Sequence, residues 1–358
     1  MESHAYVFSY GEVFQIKFNG LLNLSVLSLI LAMGITGCQV QPSTDPSETG
    51  DEEESNDTMQ NDAEKKGDEH LTVDDSVGNL LSHPAFQGFQ NHLMPRNDNN
   101  YDEDMLLRDI DRLLPYHSHV DPETVVTSLN HMVDEIDANK KVFYDFYSAE
   151  QKQRDQSLTN TGLFFFRGDP GAPFAIISPG GGFSYVGSFH EGFPYALELS
   201  NRGYNAFVLN YRVGGENIAT EDLIAAISYI VENSEELEVS AEDYSVWGSS
   251  AGARMAANAG SFKMEGILPP AAIVMAYTAH QNFSENDPPT FVTASISDRI
   301  VNVDAVEKRV ANLRNAGIDV EYLQFDNVGH GFGLGTGTDA EGWIDEAISF
   351  WEKQMKAY

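Results

Sequence analysis

Cysteine and basic residues are scarce in this chain of 358 residues. Cys38 is the single cysteine, which excludes an intramolecular disulfide and a zinc site built from cysteines, because both need several thiols. Lys and Arg number 21 against 55 Asp and Glu, and the formal net charge is −34. Nucleic acids and anionic headgroups are bound mainly through Lys and Arg, so neither is expected as a partner. The acidity itself is typical of a protein kept soluble by its charge.

Long hydrophobic runs are also missing. The apolar run Leu21–Met33 extends over about 13 residues, which is short for a bilayer span and typical of the apolar part of a signal peptide. It leads into Ile35-Thr36-Gly37-Cys38. This stretch resembles a bacterial lipobox, and the resemblance implies lipidation of Cys38 and anchoring of an extracytoplasmic protein to the bacterial cell membrane. A cleaved signal without lipid, or an internal apolar segment, is the alternative.

Composition divides the remaining chain. After a signal peptide over residues 1–38, residues 39–75 are rich in Asp, Glu, Ser, Asn and Gly and are predicted to form a disordered acidic tether, because they bury too little apolar area to offset the cost of ordering. Residues 76–140 are predicted to be a helical extension that packs over the following domain or covers its pocket. Its first apolar stripe at helical spacing is Met105, Leu106, Ile110, Leu113 and Leu114. A second predicted helix begins after an N-cap at Asp121, with Pro122 and Glu123 in its first turn. The apolar stripe of that second helix is Val125, Leu129, Met132, Val133 and Ile136.

Strands and helices alternate in residues 141–358, a pattern that predicts an α/β fold with a mostly parallel sheet of about eight strands and helices on both faces. The predicted strands are Lys141–Tyr147, Gly162–Phe166, Phe174–Ser178, Ala206–Asn210, Tyr244–Trp247, Ala271–Ala276, Thr290–Ala294 and Val320–Phe325. The predicted helices lie near 190–203, 220–233, 250–260, 303–316 and 340–356.

The sequence Gly248-Ser249-Ser250-Ala251-Gly252 matches the pattern G-x-S-x-G. It falls between a predicted strand and a predicted helix, where this pattern forms a sharp turn that exposes the central serine as a nucleophile. The flanking glycines leave room beside that serine. We therefore predict Ser250 to be a nucleophile; the alternative is an ordinary helix N-cap formed by Ser249 or Ser250.

A serine hydroxyl needs a base, and the base is best held by a carboxylate. Asp298 and His330 each follow a predicted strand, and the order Ser, Asp, His along the chain is the one found with this serine turn. Gly329 and Gly331 flank the histidine. We predict His330 as general base and Asp298 as its acidic partner, with Asp304 and Asp326 as rival acids.

Three glycines, Gly180 to Gly182, follow the strand that ends at Ser178. Such a run indicates a tightly turning backbone with accessible N–H groups, as an oxyanion hole requires. The amides of Gly181, Gly182 and Ala251 are predicted to bind the developing oxyanion. A flexible hairpin loop is the alternative.

These motifs carry a family resemblance. Pro179 to Phe183 (PGGGF), Asn210-Tyr211-Arg212, GSSAG, Asp298 and Gly329 to Phe332 (GHGF) resemble, over roughly residues 163–356, the bacterial acetyl esterase and lipase-like α/β-hydrolases, including those similar to acetylxylan and feruloyl esterases. The resemblance implies an α/β-hydrolase fold and places Phe183 and Tyr185 near the acyl site, with core aromatics as the alternative. Pro179 stands where members more often have histidine, which leaves open what supports the glycine loop.

Further candidates are weaker. His190 and Glu191 begin a predicted helix beside the glycine loop and either line the pocket or act through the helix N-terminus. His117, His119 and His131 do not have the spacing of a zinc site, and neither a metal nor a cofactor is expected.

We predict a serine carboxylic-ester hydrolase that forms an acyl-enzyme on short acyl esters, for example acetylated carbohydrates. A serine peptidase or amidase on the same fold and a surface-binding lipoprotein without activity are the alternatives. Retention of all three reactive residues and of the glycine loop argues against the last.

Overall fold

A computed structural model of the chain describes residues 70–96 and 100–355. The predicted signal peptide, Cys38 and residues 39–69 of the predicted tether lie outside the described residues. Each helix in the described ranges is too short or too weakly apolar to traverse a bilayer.

The described residues contain one eight-stranded sheet. Its strands are β1 Phe143–Tyr144, β2 Gly162–Phe166, β3 Pro173–Ser178, β4 Asn205–Asn210, β5 Ser240–Ser249, β6 Ala272–Ala276, β7 Thr290–Ser295 and β8 Val320–Phe325. They lie in the order β1-β2-β4-β3-β5-β6-β7-β8. β2 pairs antiparallel with β1 and β4, and the remaining pairs are parallel. The predicted fold class is therefore confirmed.

The strands form where the sequence has short, nearly continuous apolar runs, because both faces of this sheet are covered. In β2, Phe164 and Phe166 belong to one hydrophobic core, while Leu163 and Phe165 belong to a second core on the opposite face. This alternation follows from the two-residue period of a strand. The carboxyl ends of the parallel strands are thereby held in fixed positions at one edge.

Helices cover both faces, as predicted. The α-helices are α1 Val77–Ser82, α2 Gln90–Leu93, α3 Pro122–Asp137, α4 Ala149–Arg154, α5 Phe193–Asn201, α6 Glu216–Glu232, α7 Ala251–Gly260, α8 Val303–Asn315 and α9 Trp343–Met355. The N-terminal helices, α5 and α9 pack on the first core, α6 and α7 on the second, and α8 on a small core beside β7 and β8.

The N-terminal extension shares the first core with the sheet. Leu80, Leu129 and Met132 are fully buried in that core together with Phe164 and Trp247. The extension therefore covers the sheet as an integral layer.

The tether predicted over residues 39–75 extends too far toward the carboxyl terminus. Leu71 is buried, and its N–H donates to the Asn130 side chain at 2.8 Å. Val73 packs against the first core as well. These two apolar residues bring 70–75 into the folded region.

The two predicted helical stripes of the extension differ. The first forms only a 3-10 helix, Leu107–Leu113, which is broken at Asp109. The second is the regular helix α3, whose first turn is capped by Asp121, which accepts a hydrogen bond from the N–H of Glu123 at 3.3 Å. The irregular residues between them reach the carboxyl edge of the sheet.

Candidate active site

Ser250 lies in the turn between β5 and α7, with φ 50° and ψ −112°. A positive φ is uncommon in residues other than glycine and costs about 1–3 kcal/mol, so it is retained mainly at functional sites. The N–H of Ser250 donates to the carbonyl of Ala276 at 2.9 Å, which ties the turn to β6. The Ser250 side chain makes no capping bond to α7, and the Ser249 hydroxyl instead contacts that of Tyr195 at 3.4 Å. The turn has the geometry of a nucleophile elbow.

The two glycines of the elbow are required by close packing. A Cβ on Gly248 would collide with the carbonyl of Gly252, and a Cβ on Gly252 would collide with the carbonyl of Ser178 in β3. Backbone atoms cannot move aside as a flexible side chain can. The pattern G-x-S-x-G thus reflects how closely β3, β5 and α7 approach one another.

Ser250, His330 and Asp298 meet at the carboxyl edge of the sheet. His330 Nε2 lies 2.9 Å from Ser250 Oγ, and His330 Nδ1 lies 2.7 Å from Asp298 Oδ2. A carboxylate only accepts hydrogen bonds, so Nδ1 carries the proton and Nε2 of the neutral ring accepts from the serine hydroxyl. The side chains of His330 and Asp298 are 6% and 2% exposed.

The carboxylate of Asp298 is held by its own loop. Its Oδ1 accepts from the N–H groups of Ile300 and Val301 at 2.7 and 2.9 Å, which leaves Oδ2 for the histidine. The rivals lie elsewhere: Asp304 is in the first turn of α8, and the N–H of Asp326 donates to Asp339. Of the three carboxylates, Asp298 is the one that reaches His330.

The loop of His330 is fixed by hydroxyl groups from β7 and the loop after it. The N–H of Gly329 contacts the hydroxyls of Ser295 at 3.2 Å and Ser297 at 3.1 Å. The ring of Tyr277 packs edge-on against the imidazole, with 5.1 Å between ring centroids. These contacts set the direction of the histidine ring.

The glycine loop is supported from behind. The N–H of Gly180 donates to Glu191 Oε2 at 2.6 Å, and the Tyr211 hydroxyl donates to the carbonyl of Pro179 at 2.7 Å. Glu191 and Tyr211 therefore hold the glycine loop in this chain, where Pro179 stands at the position at which the resembling proteins more often have histidine.

The predicted oxyanion donors remain free for a ligand. Gly181 and Gly182 have φ values of 130° and 61°, so the loop depends on glycine. Within the described residues, the amides of Gly181, Gly182 and Ala251 donate to no other group. The loop passes close to the nucleophile, because a Cβ on Gly180 would lie 3.0 Å from Ser250 Cβ. Unoccupied N–H groups in such a loop are suited to bind an oxyanion.

Glu191 lies beside the glycine loop, as predicted, but the sequence did not reveal its partners. Its side chain is fully buried, and it accepts from Gly180 N, from the Tyr277 hydroxyl at 2.6 Å and from His117 Nε2 at 3.1 Å. Burial raises the pKa of the Glu191 carboxyl, but His117 and the hydrogen bond from Tyr277 lower that pKa more, to about 2. Glu191 is therefore a buried anion directly behind the glycine loop. The apolar neighbours Phe189 and Phe193 were the sequence signal of its burial.

Two of the three predicted pocket residues are buried instead. Tyr185 is 1% exposed, and its hydroxyl meets Tyr116 N at 3.1 Å and His117 Nδ1 at 2.9 Å. His190 is 5% exposed; burial first, and His117 second, lower its pKa to about 4, and Nε2 of the neutral ring donates to the carbonyl of Gly331 at 3.0 Å. Residues 116–118 cover both side chains, so neither is open to a substrate, and the alternative of a core aromatic holds for Tyr185. Phe183 alone is partly exposed.

An open cleft of about 470 Å³ adjoins His330, a volume within the range of small-molecule sites. The N-terminal extension forms one wall of this cleft, and the loops after β7 and β8 form the other. Its lining residues are Pro115, Tyr116, His117, Ser297, Arg299, Ile300, Asn327, Val328, Gly329 and His330.

The remaining histidines are not arranged as a metal site. Both ring nitrogens of His117 have protein partners, His119 is exposed, and His131 stacks on Phe166. Across the described residues, no three His, Cys, Asp or Glu side chains converge as metal ligands.

Comparison with known proteins agrees with this architecture. Residues 169–268 match the BD-FAE family model, and residues 271–357 match that of the prolyl oligopeptidase family. An acetylxylan esterase of Xylanibacter ruminicola is 22% identical over 230 residues, which cover 54% of this chain and 48% of the relative. The chain thus spans about half the length of that curated relative.

Solved structures share the fold. A sugar hydrolase from Lactococcus lactis is 24% identical, with a TM-score of 0.50, over 55% of this chain and 95% of that chain. An acetyl ester-xyloside bifunctional hydrolase from Caldicellulosiruptor lactoaceticus is 23% identical, with a TM-score of 0.52, over 59% of this chain and 95% of that chain. With the strand order and the strained turn at Ser250, these likenesses identify the chain as an α/β-hydrolase by fold.

Proposed function

We propose that the chain is a serine carboxylic-ester hydrolase with Ser250 as nucleophile, His330 as general base and Asp298 as the acid that orients the histidine. The observation that carries the proposal is the pair of hydrogen bonds, 2.9 and 2.7 Å long, that joins the three side chains at a strained elbow. Structural packing alone gives no reason to keep a serine at positive φ beside a histidine. A nucleophile that must be exposed to its base gives such a reason.

The reaction follows from these contacts. Ser250 Oγ attacks the acyl carbon while its proton passes to His330 Nε2, and the amides of Gly181, Gly182 and Ala251 bind the carbonyl oxygen as it becomes negative. The alcohol leaves with the proton from His330. Water, deprotonated by the same imidazole, then attacks the acyl carbon of the acyl-enzyme. The bond from that carbon to Ser250 Oγ breaks, the acid leaves, and His330 returns the proton to the serine. Asp298 stabilises the imidazolium in both steps.

The proposed substrates are short acyl esters such as acetylated carbohydrates. Two relatives support this choice through their names, an acetylxylan esterase and an acetyl ester-xyloside hydrolase. The open cleft beside His330 is also compatible with a large alcohol portion, because a polymer can extend out of it. A comparison of acetylated xylan, feruloyl esters and simple acyl chains tests the substrate class.

The decisive experiment labels the protein with a fluorophosphonate and follows hydrolysis of p-nitrophenyl acetate. We expect the wild-type chain to be labelled at Ser250 and to turn over the ester. Labelling of Ser250→Ala at the wild-type rate, or a folded wild-type chain that resists the reagent, would exclude the proposal.

A serine peptidase is the second candidate. Its specific support is the match of residues 271–357, which carry Asp298 and His330, to the prolyl oligopeptidase family. Comparison of p-nitrophenyl esters with aminoacyl anilides separates the two activities. A higher kcat/KM on the anilides would favour the peptidase.

For the location, we propose an extracytoplasmic lipoprotein anchored to the bacterial cell membrane through Cys38. The support is the apolar run Leu21–Met33 followed by the lipobox-like residues. Growth with an alkyne fatty acid is expected to label the wild-type chain. Equal labelling of Cys38→Ala would contradict lipidation at this residue.

A further inference from the structure

Residues 116–118 of the N-terminal extension lie between the two loops of the proposed active site. We name them the bridging segment. Ser118 contacts the loop of His330, while His117 contacts the groups behind the glycine loop. The segment therefore touches both halves of the reaction centre from outside the region that matches the family models.

Ser118 contacts three carbonyls of the histidine loop through two donors, its hydroxyl and its N–H. Its hydroxyl contacts the carbonyls of Val328 at 3.0 Å and His330 at 2.7 Å, and its N–H donates to the carbonyl of Gly331 at 3.0 Å. Glycine on both sides of His330 gives this loop little stiffness of its own. The backbone of His330 is thus fixed by a residue 212 positions away in the chain.

His117 is connected to the glycine loop through the side chain of Glu191. The His117 side chain is 2% exposed, and it contacts Glu191 Oε1 at 3.1 Å and the Tyr185 hydroxyl at 2.9 Å. The other carboxylate oxygen, Glu191 Oε2, holds the N–H of Gly180. Movement of His117 is therefore transmitted through one carboxylate to the residue before the first proposed oxyanion donor.

The buried charge makes the contact with His117 consequential. A carboxylate behind an oxyanion hole opposes the negative charge that forms there, unless its own charge is taken up by donors. Glu191 has three partners, and His117 is the one supplied by the extension. Loss of that donor would leave the anion less compensated in a fully buried position.

We propose that the bridging segment is a positioning element of the active site. Ser118 fixes the loop of His330, and His117 fixes the glycine loop through Glu191. This inference rests on the proposed esterase function. Ser118, His117 and Glu191 act through other residues and are positioning residues. The N-terminal extension then contributes to the rate as well as to the core.

The first test replaces Ser118 by alanine. A displacement of about 1 Å in a catalytic group costs up to about a hundredfold in rate, so we expect kcat on p-nitrophenyl acetate to fall about tenfold with KM within about twofold. Fluorophosphonate titration counts the folded active sites. Ser128→Ala is the matched control, because Ser128 is a buried serine of the same extension whose hydroxyl donates to Thr124 in α3; its kcat per titrated site should equal that of the wild type.

The second test is a double-variant cycle. His117→Gln and Glu191→Gln each weaken the contacts that hold the N–H of Gly180, and in Glu191→Gln this loss of position is expected to outweigh the removal of an opposing charge. Each variant is therefore expected to lower kcat about tenfold or more. A trifluoromethyl ketone inhibitor should weaken in parallel, because it forms an oxyanion in the same place. If His117 acts through Glu191, the double variant has about the kcat of Glu191→Gln alone. Additive losses would overturn the route through Glu191.

A spectroscopic measurement separates this inference from the proposed function. The proton between His330 and Asp298 gives a low-field NMR resonance whose position reports the ring geometry, whether or not the protein turns over an ester. We expect Ser118→Ala to shift or broaden it and Ser128→Ala to leave it unchanged. An unchanged resonance with wild-type kcat per site, together with a lower Tm, would assign Ser118 a purely structural role; a wild-type chain that resists fluorophosphonate would instead reject the esterase.

Discussion

The elbow of Ser250 and the loop of His330 lie at the same edge of the sheet, but they are held in different ways. The elbow is fixed by backbone: strands β3 and β6 flank β5, and the carbonyls of Ser178 and Gly252 approach so closely that only glycine fits. The histidine loop is fixed by side chains, namely the hydroxyls of Ser118, Ser295 and Ser297. Backbone packing thus builds the first, and side-chain hydrogen bonds build the second.

The largest expected effect comes from the reacting groups themselves. Ser250→Ala and His330→Ala are each expected to lower kcat by at least about 10⁴-fold, because a triad acts as a unit. Both variants should keep the far-ultraviolet circular dichroism of the wild type. Steady-state kinetics checks the rate, and retention of most of the rate in either variant would remove that residue from the mechanism.

The two loops should respond differently to an added methyl group. Gly252→Ala forces a Cβ into the backbone of β3 and is expected to lower the free energy of unfolding by about 3 kcal/mol. In Gly329→Ala the added Cβ would lie 3.7 Å from Ser118 Oγ, an ordinary contact. The free energy of unfolding should therefore fall by only about 1 kcal/mol, because alanine must adopt the positive φ of 72°. Urea unfolding of both variants checks the difference. Equal losses would mean that the two loops are equally constrained.

Acid should lower the stability of the fold in part through His190, whose ring donates to the carbonyl of Gly331 in the histidine loop. Burial lowers the pKa of His190 from 6.5 to about 4, so between these values the unfolded chain binds a proton that the folded chain does not. The stability contributed by His190 is therefore complete above pH 6.5 and falls as the pH decreases toward 4. Unfolding free energies at pH 7.5 and 5 should differ less in His190→Gln than in the wild type. Replacement of the exposed His119 is the control, and an identical pH dependence in His190→Gln would contradict the assignment.

The smallest expected effect is that of a single supporting hydroxyl. Gly329 N has two acceptors, so Ser297→Ala leaves the contact with Ser295 in place. We expect a loss of kcat of about twofold to fivefold, in line with a net value of about 0.5–1 kcal/mol for one neutral hydrogen bond. The double replacement of Ser295 and Ser297 should cost more than the sum of the single ones.

Sequence reasoning succeeded where structure depends on local pattern. Apolar runs predicted the strands, G-x-S-x-G predicted the elbow, and the positions of Asp298 and His330 after strands brought them to one edge. It failed where contacts join distant residues. Nothing near Glu191 in the chain shows that His117 and Tyr277 meet it, and the burial of Tyr185 and His190 depends on a segment of the extension that covers them.

The shared core has a consequence for how this protein can be divided or recombined. A fragment starting at residue 169, where the family match begins, would lack strands β1 and β2 and would expose the face of the sheet that Leu80, Leu129 and Met132 cover. Such a fragment would aggregate through that bare surface. If the N-terminal extension were exchanged for another segment, that segment would have to supply apolar residues that cover the same face of the sheet. The extension and the sheet are therefore expected to be inherited together.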